Sequence, residues 1–376
     1  MDLLNLVWTN GAAFLFILTV IVFFHELGHY AIARINGVRV EVFSIGFGPE
    51  LFGWTSKSGT RWKVSLLPLG GYVKMFGETM SGAEGEERDL TEDEKRVSFH
   101  HKRVGQRAAI VAAGPLANFA LAIVVLAVLF STAGQPFTPP EVGSVQEGSA
   151  AEAAGMKAGD RFVTVDGTDI ERFEDVQNVV RMAPGRELTV VVRRDGSDVT
   201  LTAVPKHHTI VDRFGNKTEI GLLGVGGPVR SFVRHPPHES VYRAVLDTWR
   251  LSVFTLEAVG EIIIGARSAD GLGGPIRIAQ LSGQVAEIGF GQLFWFLAVL
   301  SINLGLINLF PIPMLDGGHL VFYGIEAIQG RAVSDRIVEY GFRVGLGLVL
   351  SLFVFVTIQD LLRFDVIADF IKGLVS

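Results

Sequence analysis

Cysteine is absent from this 376-residue chain. That removes thiolate metal ligands, disulfides and cysteine nucleophiles together, so any metal site has to be built from histidine and carboxylate. A surplus of positive charge is lacking too. Against 33 Lys and Arg stand 39 Asp and Glu, a net charge of −6, which leaves no basic surface of the kind nucleic acid requires. Charge is missing altogether from residues 3–24, 108–134 and 288–315, and from a shorter run, 344–359. A helix crossing a bilayer needs about 20 consecutive apolar residues, and a mean hydropathy of +0.39 belongs to a membrane protein. The chain opens with neither a basic leader nor a small-residue cleavage signal, so residues 3 to about 35 read as a retained span.

That first uncharged run ends in Phe24-His25-Glu26-Leu27-Gly28-His29. An ionisable side chain at membrane depth costs about 2.5–3.5 kcal/mol and marks function by default. His25 and His29 are four residues apart, hence on one helix face, with Glu26 at its edge. Two imidazoles so placed can hold one metal ion, while the carboxylate reaches a water on it.

The segment after it, 37–106, is rich in Lys and Arg and therefore cytoplasmic, which puts the N-terminus outside. Within it, residues 43–49 and 62–75 alternate β-formers with glycines and read as short strands. They form either a cytoplasmic hairpin or a sheet folded back into the membrane, whose edge strand can pair with an extended peptide. Residues 81–96 are acidic and read as a mobile loop. Residues 107–134 form the second span, kinked at Pro115. Asn118 within it is either glue between helices or part of the site. From 135 to 205 the composition is that of a soluble domain: short strands, a helix over 149–155 and another over 175–182. Its Gly148-Ser149-Ala150-Ala151 and Ala158-Gly159-Asp160-Arg161-Phe162 patterns resemble a PDZ domain, which binds peptide ends by strand addition. Residues 206–287 read as a linker with a hairpin around 212–216 and an amphipathic helix over 241–265, and its His207, His208, His235 and His238 as solvated loop residues.

The third uncharged run continues through Asn308-Leu309-Phe310-Pro311-Ile312-Pro313-Met314-Leu315-Asp316-Gly317-Gly318-His319. Two prolines two apart break a helix, and broken backbone at membrane depth is tolerated only inside protein or beside a wet cavity. A metal held by two histidines needs a third protein ligand and one open position. Asp316, His319 and Glu326 are the candidates, and Asp316 at the break is best placed; otherwise it caps the next helix. Residues 288–323 are thus the third membrane segment, 324–343 a cytoplasmic loop carrying Arg331, Arg336 and Arg343, and 344–376 the fourth span and C-terminus.

Taken together, HELGH at 25–29, GFGP at 46–49, PLGGYVKM at 68–75, AGPLAN at 113–118, GPI at 274–276 and NLFPIPMLDGGH at 308–319 resemble the bacterial site-2 proteases, of the regulator-of-sigma-E protease type, over nearly the whole chain. The resemblance implies zinc held by His25, His29 and Asp316, with Glu26 as general base. It also implies substrate contacts at Asn308, Pro311 and Pro313 and along the hairpin, at Gly70, Gly71 and Tyr72. The implied fold is a multi-pass α-helical membrane protein of four transmembrane helices, with a membrane-associated β-hairpin and an inserted α+β PDZ domain. The implied setting is the bacterial inner membrane, with both termini and the PDZ domain periplasmic. Such proteases cut single-pass membrane proteins after an upstream site-1-type protease has made a first external cut. Many relatives carry two PDZ domains, and one is visible here. The rival reading is a non-catalytic, metal-dependent scaffold that captures peptide tails through its PDZ domain.

Overall fold

The computed structural model describes residues 3–78, 90–211, 217–228, 231–265 and 273–362. In chain order the elements are α1 (Leu3–Ile35), β1 (Val40–Thr55), β2 (Arg61–Met75), α2 (Glu92–Val97), α3 (Val104–Thr132), β3 (Gln135–Phe137), β4 (Ser144–Val145), α4 (Ala150–Ala153), β5 (Arg161–Val165) and β6 (Thr168–Asp169). There follow α5 (Phe173–Arg181), β7 (Leu188–Arg194), β8 (Ser197–Ala203), β9 (Lys206–Val211), β10 (Lys217–Leu222), β11 (Val225–Gly226), β12 (Ser231–Val233), α6 (Pro237–Ile263), α7 (Pro275–Ile288), α8 (Phe290–Asn308), α9 (Asp316–Gln329) and α10 (Asp335–Leu362). The chain divides into two compact units, one of 130–237 with 265–268, and one of the remainder.

Among the described residues, four helices are long and apolar enough to cross a membrane: Asn10–Ile35, Val104–Thr132, Phe290–Asn308 and Arg336–Leu361. Their positions follow the four uncharged runs. At 1.5 Å per residue, a 26-residue helix is about 39 Å long, enough for a hydrocarbon core of about 30 Å. α1 and α3 approach closely where Gly28 meets α3: a Cβ there would lie 2.2 Å from the Ala113 carbonyl oxygen and 2.8 Å from the Ala117 Cβ. α8 closes on α3 in the same way, with Gly305 beside the Pro115 carbonyl and Ser301 Oγ donating to the Asn118 carbonyl at 2.8 Å. Pro115 sits inside α3, where it leaves one helical carbonyl without its N–H partner.

Between α1 and α3, β1 and β2 form a long hairpin that folds back on itself: residues 42–45 pair on one side with 71–74 and on the other with 61–64, and 61–64 pair in turn with 52–55. The expected short strands are segments of this hairpin. Its glycines serve as bulges, with Gly46 and Gly48 both at φ 87°. Trp62 stacks on Phe43 and on Trp54 and meets Tyr30 of α1 edge-on, which holds the hairpin to α1. The acidic segment 81–96 lies outside the described residues up to residue 89. Its remainder is not loop, because Thr91 and Glu94 form a reciprocal capping box and start α2. Residues 324–343 are likewise not a loop. α9 runs on to Gln329, ends at Gly330 in the left-handed conformation, and α10 begins five residues later. α10 lies against the proline break, where a Cβ on Gly345 would overlap the Pro313 carbonyl. Its buried Asp360 accepts from the N–H groups of Gly274 (3.1 Å) and Arg277 (3.0 Å) at the start of α7, which explains the glycine of the Gly274-Pro275-Ile276 pattern.

The smaller unit is an α+β fold around a four-stranded antiparallel sheet of order β6-β5-β7-β8. Leu188, Val190 and Val192 alternate inward along β7, and Phe173, Val176 and Val180 line one face of α5, as periods of 2 and 3.6 require. Asp166-Gly167 and Asp195-Gly196 make the two hairpin turns, all four residues with positive φ, the primed turns that match strand twist. The linker expected from residue 206 is corrected here: 206–237 supply four strands. β11 pairs with β4 and β12 with β3, and Leu223 joins the core. β9 and β10 pair with each other as the hairpin expected around 212–216, whose tip lies outside the described residues. β11 and β12 are short strands whose partners lie far back in sequence, and they carry no local signal.

Buried Asp160 anchors this unit. Arg194 Nε and Nη2 each donate to its carboxylate at 2.7 Å, and the Lys157 N–H donates at 2.8 Å. Those bonds, the Arg194 pair first, hold the Asp160 carboxyl below the usual aspartate value. A depressed native pKa contributes stability above the unfolded value of about 3.9, lost as pH falls through the native value. Asp160→Asn is therefore expected to destabilise the unit by about 2 kcal/mol at pH 7, and by progressively less below about pH 4. Hydrogen exchange of the β5 and β7 amides in the full-length protein, corrected for intrinsic rates, checks this. An equal loss at both pH values would contradict it.

Candidate metal centre

His25 and His29 project from α1 onto α3 at Gly114. A Cβ on Gly114 would stand 2.2 Å from His29 Nε2 and 2.9 Å from His25 Cε1, so only glycine leaves room for both rings. The outer ring nitrogens are oriented by α3. His29 Nδ1 donates to the Ile110 carbonyl at 2.9 Å, which leaves its Nε2 with a free lone pair. Asn118 Nδ2 lies 3.2 Å from His25 Nδ1, and its buried Oδ1 has no partner among the described residues. The two faces of that amide are equivalent in shape, and with Oδ1 toward the ring it accepts from Nδ1–H and frees Nε2. Hydrogen-bonded outer nitrogens of this kind are what metal-ligating histidines need. Asn118 is thus part of the site and not only glue.

Asp316 completes the cluster. Its Oδ2 lies 3.3 Å from His25 Nε2 and its Oδ1 3.6 Å from His29 Nε2, and the two Nε2 atoms are 3.2 Å apart; one donor atom from each side chain lies within 4.8 Å of the other two. Ligands at about 2.0–2.1 Å around a tetrahedral zinc are roughly 3.3 Å from one another, so the three side chains are close enough to share one such ion. The side chains are only 11%, 12% and 17% exposed. Asp316 Oδ2 is buried and lacks a hydrogen-bond partner among the described residues, the state of an oxygen meant for a cation. Among the described residues, these three are the cluster of His and carboxylate side chains able to hold a metal.

The break after α8 puts Asp316 there. Phe310–Leu315 leave the helix, with Met314 at φ 97°, a strained conformation for a residue with a side chain. The loop folds tightly over the first turn of α9: Cβ atoms on Gly317 and Gly318 would lie 2.2 Å from the Phe310 carbonyl oxygen and 2.4 Å from that of Ile312. Asp316 opens α9 but does not cap it, since the preceding Leu315 holds the capping position. The two other candidates for third ligand are corrected. His319 meets Phe342 edge-on and lies tilted beside Tyr323, and Glu326 pairs with Arg107 at 2.5 Å; neither joins the cluster.

Glu26 faces β2. Its Cγ would be 3.1 Å from a Cβ on Gly71, and the Val73 backbone lies beside its carboxylate. The outer edge of β2 therefore runs beside the histidines. Of the expected substrate contacts, Gly71 lies at Glu26; Gly70 packs on the Phe47 ring, and Tyr72 stacks on Phe47. Pro313 packs against α10 at Gly341 and Gly345, while Asn308 ends α8 and Pro311 lies in the break. Sequence reasoning passed over Gly114 and Arg107. A signal existed: Arg107, Gly114 and Asn118 are spaced seven and four apart, one face of a helix.

Two histidines one turn apart, a carboxylate from a distant segment and a glutamate between the histidines define a metallopeptidase type of centre, set among apolar helices. The model for peptidase family M50 matches residues 13–352, and the chain belongs to that family of zinc proteases. Metalloprotease MmpA of Caulobacter vibrioides is 37% identical over 386 residues, covering 96% of this chain and 97% of that protein. Proteins of Rhizobium meliloti and Brucella suis, both provisionally named zinc metalloproteases, are each 45% identical, over 356 and 355 residues, covering 93% of this chain and 95% and 94% of theirs.

Proposed function

We propose that this zinc metalloprotease cuts single-pass membrane proteins within the bilayer, after a first external cut by another protease. His25, His29 and Asp316 hold the metal, and Glu26 is the general base. The observation that carries the reading is the set of three donor atoms from His25, His29 and Asp316, within 4.8 Å of one another, on α1 and α9 beside helices long and apolar enough to cross a membrane. Zinc, when bound, supplies a Lewis acid for the scissile carbonyl and brings the pKa of a coordinated water toward about 7. Glu26 takes the proton of the attacking water and later delivers it to the leaving amine. The α3 groups, Ile110 and Asn118, keep both imidazoles aimed inward throughout.

A helical substrate hides its peptide bonds in its own hydrogen bonds, so the cleaved stretch has to be extended. The outer edge of β2 at Gly71–Val73 supports such a stretch by strand addition, beside Glu26; Asn308, Pro311 and Pro313 bound the other side. The smaller unit is read as a PDZ domain that takes peptide ends, on the periplasmic side of the bacterial inner membrane by the distribution of Lys and Arg. A peptide-capturing scaffold would have no use for Glu26 beside the three ligands.

Reconstituted in liposomes with a tagged single-pass substrate trimmed outside the bilayer, the full chain should cleave within the apolar segment. Chelation should stop cleavage and added zinc restore it. Zinc-dependent cleavage of soluble peptides alone, with the transmembrane substrate untouched, would reject the intramembrane reading.

A further inference from the structure

We infer that Arg107 and Glu326 are positioning residues for the third metal ligand. The inference rests on the metal-centre reading above. α3 turns one face to the site, along Arg107, Ile110, Gly114 and Asn118. The last three receive or orient the two histidines. Arg107, one to two turns earlier on the same face, reaches instead to α9. Its Nη2 donates to Glu326 Oε1 at 2.5 Å, its Nε to the Lys102 carbonyl at 3.2 Å, and its guanidinium lies 4.9 Å from the centre of the Tyr323 ring. The pair is largely shielded, with side chains 11% and 15% exposed.

α9 carries Asp316, Tyr323 and Glu326 at spacings of seven and three, so all three share the face turned to α3. The chain entering Asp316 is the irregular break, with Met314 in its strained conformation. The ligand is therefore held from two sides, by the break packed over Gly317 and Gly318 and by α9 itself. Leu320 and Tyr323 pack on the cluster that contains Ala33, Ile110 and Val111, an apolar contact that sets the distance between helices but tolerates sliding and rotation. The ion pair does not, because a guanidinium bonded on two sides to fixed partners defines a direction. α3 thereby sets all three ligands from one helix face: two by hydrogen bonds to their rings, the third by registering the helix that bears it. Groups that act behind metal ligands in this way change affinity about 10- to 100-fold when removed.

The test is a zinc titration of the full-length protein in nanodiscs against a competing chelator, with no activity readout needed. Glu326→Gln should raise the zinc dissociation constant by about 10-fold or more. The charge swap Arg107→Glu with Glu326→Arg should recover most of the loss, which a merely space-filling role would not. Glu339→Gln, which breaks the exposed pair with Arg343 on α10, should leave zinc affinity unchanged. Wild-type affinity in Glu326→Gln, no recovery in the swap, or an equal loss in Glu339→Gln each overturns the inference. Should Glu326→Gln not fold, the swap alone decides. Failure of the wild-type chain to bind zinc would instead overturn the metal-centre reading itself.

Discussion

Glu26→Gln is expected to keep its zinc and lose proteolysis. Glu26 is not among the three clustered donors; it stands beside them, against Gly71, with the Val73 backbone beside its carboxylate. Glutamine has the same shape and leaves the histidines and Asp316 untouched. What it cannot do is accept a proton from water. Removing a positioned general base lowers rates about 10²- to 10⁴-fold. Metal content of the purified variant and cleavage of a transmembrane substrate, measured side by side, check both halves. A variant that keeps zinc and cleaves at the wild-type rate removes Glu26 from the mechanism; one that loses zinc places it in the coordination sphere.

Gly114→Ala should disable the site without unfolding the helix. In the interior of α3, alanine is the better helix former by about 1 kcal/mol, so helix content and membrane insertion should be unaffected or improved. The added methyl, however, would stand 2.2 Å from His29 Nε2 and 2.5 Å from His29 Cε1. The ring cannot yield cheaply. Its Nδ1 bond to the Ile110 carbonyl fixes it from behind, and Gly28, in tight contact with Ala113, prevents α1 from backing away. The imidazoles have to turn out of their metal-binding orientation, and zinc affinity should fall by about 100-fold, the upper end for disturbed ligand orientation. Circular dichroism with a zinc titration separates the two effects. Native zinc affinity in a folded Gly114→Ala protein would mean that the rings do not stand over Gly114.

Much of this protein is readable without coordinates because the signals are local. The uncharged runs mark four apolar helices, since hydropathy over about 20 residues needs no knowledge of neighbours. His25 and His29 share a face because helical periodicity puts them there. The doubled proline of Pro311 and Pro313 announces a break whatever surrounds it. In the smaller unit, β7 and α5 declare themselves by alternation and by 3.6-residue spacing, and β9 and β10 by the local turn between them, while β11 and β12 do not. Their pairing with β4 and β3 is decided by the finished domain, and composition alone made them part of a linker.

Which carboxylate or imidazole closes the site was open in the sequence among Asp316, His319 and Glu326. It was settled by the turn of the chain through Met314, the packing of Gly317 and Gly318 under the loop, and the pairing of Glu326 with Arg107 across the fold. The same holds for Asn118, an amide in an apolar helix until its neighbour proves to be His25, and for Gly114, one small residue among many until two rings stand over it. Helix periodicity tells which residues share a face; it does not tell which faces meet. By itself the sequence determined the spans, the paired histidines and the broken segment. The third donor, the glycine that admits the rings and the ion pair that registers α9 depended on contacts between residues far apart in the chain, which only the packing of α1, α3 and α9 decides.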